Sequence, residues 1–380
     1  MLMSRRWITL AGAAALVSGC GGGVRPASLA PAADPTLQPA PNPGWDAWVA
    51  SFRPRAQAAG ISGGVLDQGF RGAGYLPGVV ERDRDQTEFS RTLEDYLAIV
   101  ANEEKVRTGR ARLAQRGALL SEIEARYGVP AEVVAAVWGM ESNYGARRGD
   151  IPVVSATSTL AYDGRRGAFF EQQLLAALRI LQRGDVAPGS LTGSWAGAMG
   201  HTQFIPTTYQ AYAVDFRGDG RRDIWSEDPT DGLASAASYL ASSGWRRGEP
   251  WGQEITSANP GSGGRVIQPE PGGPQFRVFR NFDVIKRYNN STNYAIGVGH
   301  LSDRLAGAGP LSGSFGPDRF GLSIEDRKEI QRRLTAQGFD AGDPDGVLGS
   351  QTEAAIEAYQ RSAGLPVTGQ PSRDLLARLR

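Results

Sequence analysis

The segment PAEVVAAVWGMESNYG, from Pro130 to Gly145, puts a carboxylate where a fold can turn it into a proton donor. Val133, Val134, Val137 and Trp138 repeat at the three-and-four spacing of a buried helical stripe. Glu141 continues that stripe, four residues after Val137 and three after Trp138. Pro130 suits the first helical position and Gly145 the residue just past the end. A carboxylate so placed loses water on one side and faces the negative end of the helix dipole on the other, and both effects disfavour its charged form. The chemistry open to such an acid is protonation of a leaving oxygen, as in cleavage of a glycosidic bond. The alternative is a glutamate that reaches solvent past the helix end, or pairs with Arg147 or Arg148.

The elements that would position Glu141 are mostly helical. Amphipathic patterns run over Glu88–Arg107, Leu119–Tyr127, Pro130–Tyr144, Phe169–Arg183 before Gly184, Asp231–Ser243 before Gly244, and Thr292–Leu305. Gln275–Phe282 suits a short strand, and Pro260–Pro274 a loop. The expected class is mainly α (α+β). With 380 residues there is room for two domains. Hydrophobic and charged contents of 41% and 21% are ordinary, and a net charge of +1 gives no reason to expect nucleic acid. Cys20 is the only cysteine, which excludes disulfides within the chain and cysteine metal sites; His201 and His300 are too few for a histidine-rich one. No nucleophile elbow, phosphate loop or dinucleotide fingerprint stands out.

Arg5 and Arg6 precede an apolar run from Trp7 to Val17, about the length of a signal sequence core and too short to span a bilayer. Ser4-Arg5-Arg6 is also a short match to a twin-arginine export signal. The run ends in Leu16-Val17-Ser18-Gly19-Cys20, which resembles a bacterial lipoprotein signal cleaved before a lipid-bearing Cys20. Residues 1–19 are thus expected to be removed, and 20–44, rich in Pro and Ala, to form an extended tether. Sorting rules for lipoproteins, with Gly21 after the cysteine, imply outer-membrane anchoring on the periplasmic side.

The last sixty residues read as a separate unit behind a Gly- and Pro-rich linker, 307–321. Ser323 to Asp326 and Ser350 to Glu353 resemble helix-start caps, and the helices they open should end at Gly338 and Gly364. Asp345-Gly346 through Thr352 is loosely echoed by Val367 through Asp374, a degenerate repeat that predicts a small three-helix module over 322–380. It resembles the peptidoglycan-binding domain of cell-wall hydrolases at Gln331, Leu334, Gly338, Asp345, Gly346, Gly349, Thr352 and Gln360.

After Glu141 comes Ser194-Trp-Ala-Gly-Ala-Met-Gly-His-Thr-Gln203-Phe-Ile-Pro206, whose small residues let backbone approach a ligand and whose Gln203 offers donors and an acceptor. With Gly139-Met-Glu-Ser-Asn-Tyr-Gly145, Leu160 through Phe170, Tyr212 through Gly220 and Tyr288-Asn289-Asn-Ser291, the chain over 45–306 resembles the lytic murein transglycosylase B family. The resemblance implies a lysozyme-like catalytic domain acting on peptidoglycan glycan strands, with no cofactor required and a monomeric enzyme tethered to the membrane through lipid on Cys20. It implies that Glu141 protonates the oxygen between N-acetylmuramic acid and N-acetylglucosamine. The same residue then acts as base toward the muramyl 6-hydroxyl, giving a 1,6-anhydro product. By the same carry-over Ser194, Gln203, Tyr288, Asn289 and Tyr294 contact the sugars, and Arg165 and Arg166 suit the lactyl carboxylate or stem peptide. Caps and solvated surface arginines are the plainer roles for such residues.

Asp215-Phe-Arg217-Gly-Asp219-Gly220-Arg221 resembles the start of an EF-hand calcium loop, with Asp231 as a later closing acid. Arg217 stands where an oxygen ligand is expected, so the loop either binds calcium through Asp215, Asp219, Arg221 and Asp231 or is metal-free and held by Arg217. Two competing readings are a hydrolytic muramidase, needing a second acid such as Asp163 or Asp150, and a wall-binding scaffold that does not cut.

Overall fold

The structure, a computed structural model, describes residues 34–85 and 91–380. The predicted signal sequence, Cys20 and the start of the predicted tether lie outside the described residues. In chain order the helices are α1 (Pro43–Ala58), α2 (Gly63–Gly69), α3 (Pro77–Arg84), α4 (Leu93–Val100), α5 (Glu103–Gln115), α6 (Gly117–Tyr127), α7 (Ala131–Ser142), α8 (Val153–Asp163), α9 (Gly167–Arg183), α10 (Pro206–Tyr212), α11 (Thr230–Ser242), α12 (Arg280–Tyr288), α13 (Thr292–Leu305), α14 (Ile324–Ala336), α15 (Ser350–Ser362) and α16 (Arg373–Leu379). β1 (Ile151–Pro152) and β2 (Thr192–Gly193) form an antiparallel pair. β3 (Gly252–Ile255), β4 (Arg265–Ile267) and β5 (Gln275–Val278) form an antiparallel sheet in the order β3-β5-β4. The mainly helical class is as expected. Contacts gather the described residues into two compact units, 34–85 with 108–247, and 91–107 with 248–380.

In the first unit α7 is the central element. Its apolar spacing predicts a one-sided stripe, yet every residue from Val133 to Gly139 is buried. Ala135, Ala136 and Gly139 are small enough for α6 and α11 to close over the remaining faces. The helix stops at Ser142, earlier than predicted, because Asn143 and Tyr144 take the left-handed conformation (φ 49° and 57°) ahead of Gly145 (φ 84°). That turn folds the Tyr144 ring back edge-on to Trp138, 5.8 Å between centroids, over the bare Gly139. A second core under α3, α8 and α9 gathers Leu76, Val79, Ala156, Leu160 and Phe170.

The predicted tether is not wholly extended. Asp34 accepts from Thr36 N (2.9 Å) and pairs with Arg82 (2.5 Å), Ala40 bridges to Tyr75, and Asn42 caps α1 through Trp45 N (3.0 Å). Residues 34–44 therefore belong to the body. The helix expected over Glu88–Arg107 is broken within its described part, because Asn102 accepts from Lys105 N (2.8 Å) and starts α5 afresh.

In the second unit the predicted loop 260–274 contributes β4, a strand masked by its glycine- and proline-rich flanks, and β5 ends at Val278 before α12. The linker 307–321 is fastened: the Glu254 carboxylate takes the N–H groups of Ser312 and Gly313 (2.8 and 2.6 Å), and Asp318 those of Phe320 and Leu322 (2.8 and 2.9 Å). Ser323 and Asp326 make the predicted capping box on α14. Ser350 does not cap; it is the first residue of α15, after Gly349. The degenerate repeat has a physical basis in two glutamines. Gln331 takes Gly346 N and donates to Asp345, Val347 O and Thr352, while Gln360 takes Thr368 N and Gly369 N and donates to Thr368. Each helix thus carries a side chain that shapes the turn after it, around a core of Leu322, Ile330, Leu334, Ile356, Leu375 and Leu376.

Candidate active site

Glu141 sits half-buried in the last turn of α7. Two neighbours in that turn are bonded to one residue of the 194–204 segment. Trp138 Nε1 donates to His201 Nδ1 (3.1 Å), and Ser142 Oγ donates to the His201 carbonyl (2.6 Å) while accepting from Gly145 N (3.0 Å). Indole nitrogen is only a donor, so Nδ1 carries the lone pair and Nε2 the hydrogen, which goes to Ser226 O at 2.8 Å. Burial holds the imidazole pKa below its ordinary value, against the pull of Ser226 O; Arg148 adds to the lowering. Arg148 donates to the same Ser226 carbonyl (2.7 Å) and pairs with Glu227.

The 194–204 segment is a tight, hydrogen-bonded loop. Ser194 N donates to Ala198 O (2.7 Å), and Ser194 Oγ accepts from Ala198 N (3.1 Å). Met199 and Phe204 pair in both directions (2.9 and 3.2 Å). Gly200 sits at φ 68°, where a Cβ would overlap the Ile224 carbonyl, so only glycine fits. Gln203, at φ 50°, donates to Arg148 O (3.0 Å) and Gly200 O (2.9 Å). The structure thus ties the α7 end, the Gly200–Gln203 turn and Arg148 into one network.

The other predicted residues sit elsewhere. Arg165 and Arg166 both clamp Asp83 of α3, through bonds of 2.6 Å each, and the Asp83 side chain is 1% exposed. Burial works against its charge, and the two guanidiniums outweigh that cost, holding its carboxyl below the usual range. Arg165 is exposed and Arg166 half-buried, yet both are anchored to Asp83, and nothing in the sequence around Asp83 marked it as their partner. Asp163 pairs with Arg84 (2.5 Å), and Asp150 is exposed. Tyr288, Asn289 and Tyr294 belong to the second unit. There the two tyrosine rings lie near parallel, 6.4 Å apart, Asn289 is buried, and Ser291 caps α13.

The acids of the Asp215 loop turn to backbone N–H groups. Among the described residues no three His, Cys, Asp or Glu side chains come together to hold an ion. Asp215 takes the N–H groups of Gly218, Asp219 and Gly220, which outweigh burial and keep its carboxyl below the usual range; Asp231 takes those of Phe216 and Asp223. Asp219 turns to Arg221 N (2.9 Å). Arg217 does not hold the loop either, since its guanidinium reaches outward to Glu122 on α6. Backbone N–H groups do that work.

The Transglycosylase SLT domain model matches residues 44–264 and 258–303. The chain belongs to that family. A model for a peptidoglycan binding domain matches residues 323–379 of this SLT-domain protein, and its catalytic fold is lysozyme-like. It is 32% identical over 211 residues to the membrane-bound lytic murein transglycosylase B of Escherichia coli K12; the match spans 47% of this chain and 58% of that protein. The crystal structure of SltB3 from Pseudomonas aeruginosa, in complex with NAG-anhNAM-pentapeptide, is similar with a TM-score of 0.70 and 43% identity, covering 89% of this chain and all of that one. The Escherichia coli lytic transglycosylase Slt35 in complex with calcium gives 0.59 and 26%, covering 71% and 96%. Sequence reasoning missed His201, whose signal was only its place inside the Met199–Gln203 motif.

Proposed function

We propose that this SLT-domain protein is a lytic transglycosylase that cleaves the β-1,4 bond between N-acetylmuramic acid and N-acetylglucosamine in peptidoglycan and leaves 1,6-anhydromuramyl ends. The observation that carries the reading is a single half-buried acid, Glu141, in a helix turn braced on both sides by His201. A relative bound to an anhydro-sugar ligand supports the outcome. Glu141 gives its proton to the departing glycosidic oxygen, then takes one from the muramyl 6-hydroxyl as that oxygen closes on the anomeric carbon. One carboxyl serves both steps because they follow in sequence, and no water is consumed. Ser194, Gln203, Tyr288, Asn289 and Tyr294 are the proposed sugar contacts. Arg165 and Arg166, if they meet a substrate carboxylate, do so while paired with Asp83.

Digestion of purified sacculi followed by mass spectrometry tests the reading. Anhydromuramyl products are expected; products one water heavier, with reducing ends, would favour a hydrolase. Asp163 and Asp150 are the acids considered for that role, and Asp163 is already committed to Arg84.

Attachment through lipid on Cys20 and residence at the outer membrane's periplasmic face are part of the proposal, supported by the membrane-bound relative. No helix among the described residues is long and apolar enough to cross a membrane. The wall-binding module would hold the enzyme on its substrate as a monomer. The Asp215 loop is taken to be metal-free. Millimolar calcium or a chelator should therefore leave the melting temperature unchanged, whereas a calcium-dependent rise would reinstate the ion.

A further inference from the structure

We infer that His201 is the positioning residue for Glu141: its ring, acting as an acceptor at Nδ1 and a donor at Nε2, fixes the last turn of α7 against the Arg148–Ser226 segment. The inference rests on the proposed transglycosylase reading. Glu141 lies between the two residues His201 grips, three after Trp138 and one before Ser142. Trp138 is held by the ring, at 3.1 Å with the two ring planes at 69°, and Ser142 by the His201 main chain. The ring has no slack. A Cβ on Gly145 would come 2.7 Å from its Cε1 and Nδ1, and one on Gly232 of α11 would come 3.0 Å from its Cβ, so both neighbours are bare to admit it. At Nε2 the ring hydrogen and Arg148 converge on one carbonyl, Ser226 O, at 2.8 and 2.7 Å. The charged groups facing the imidazole are Arg148, Glu227 and Asp223.

The consequence is that the two ring nitrogens do separable work. Nδ1 holds the catalytic turn, while Nε2 holds the segment behind it. A catalytic acid displaced by about an ångström loses on the order of a hundredfold in rate while its substrate still binds, so the signature is a fall in kcat with KM unchanged.

Two substitutions divide the ring. His201→Asn keeps an acceptor, Oδ1, near the Nδ1 position but cannot reach Ser226. His201→Gln reaches Ser226 but leaves Trp138 Nε1 without an acceptor. Measured on soluble muropeptide, H201N should retain kcat within about threefold of the parent, and H201Q should lose about tenfold or more at unchanged KM. Hydrogen exchange of the Trp138 indole, followed by NMR, should stay slow in H201N and become fast in H201Q, whatever the activity. H201Q with parental kcat overturns the inference, as do equal losses in both variants that track their melting temperatures. An unsubstituted protein that releases no anhydromuramyl product defeats the transglycosylase reading instead, and is thereby told apart from failure of this inference.

Discussion

Glu141→Gln should reduce release of anhydromuropeptides from sacculi by about 10² to 10⁴-fold, the range that general acid–base groups contribute, with an unchanged melting curve. Glutamine keeps the shape and hydrogen-bonding reach of the side chain and removes only its proton chemistry. The fold should not notice. The turn that carries residue 141 is held by Trp138, Ser142 and the left-handed cap at Asn143, and none of these contacts uses the residue's own proton. The same change should leave binding of sacculi intact, because the wall-binding module is built on its own core at Leu334, Ile356 and Leu376. Undiminished solubilisation of sacculi by E141Q would remove Glu141 from the mechanism, and with it the single-acid reading.

Arg327→Ala should be strongly destabilising. The arginine, on α14, is 3% exposed, and its guanidinium bonds Glu94 (2.6 Å) while lying 3.0 Å from Asp95 and 3.4 Å from Asp318, all three of them mostly buried. Removing one partner of a buried ion pair leaves charge uncompensated at a cost of about 3–5 kcal/mol. For a unit of this size that is a fall of about 6–20 °C in melting temperature. The pH dependence gives the sign. In the intact protein burial already raises the Glu94 carboxyl above its usual range, against the pull of Arg327, with Asp95, Glu270 and Asp318 adding to the rise. Without the arginine the folded-state Glu94 carboxyl rises further above its unfolded value. The folded variant then binds more protons than the unfolded chain, and protonation favours it. The deficit should be largest near neutral pH and shrink as pH falls toward about 4, where Glu94 neutralises. Thermal melts of both proteins at several pH values check this, and a deficit independent of pH would show that lost packing, not charge, sets the cost.

Arg327 also reaches the linker, through Asp318, but other contacts make it differ from its predicted looseness. Glycine and proline over 307–321 suggest a loose joint, and composition has no means of registering that Glu254, some 58 residues earlier, captures two of its N–H groups. The same limit applies to the arginine pair. Arg165 and Arg166 look like surface residues free for a ligand, while Asp83, 82 residues away, already occupies both.

Where the deciding interaction spans three or four residues, sequence was sufficient. The Ser323–Asp326 capping box and the left-handed Gly184 and Gly338 all follow from local geometry. Ser350 and Gly145 show the margin of that rule, since a neighbour with equal claim, Gly349 or Asn143, took the boundary position. Tertiary structure alone decided which charges meet and how tightly the turn carrying Glu141 is held. His201 lies 63 residues from Trp138, and Arg327 233 residues from Glu94. Such pairs are selected by the packing of whole helices, because burial makes an unpaired donor or charge too costly to leave. Spacing along the chain carries no trace of that choice.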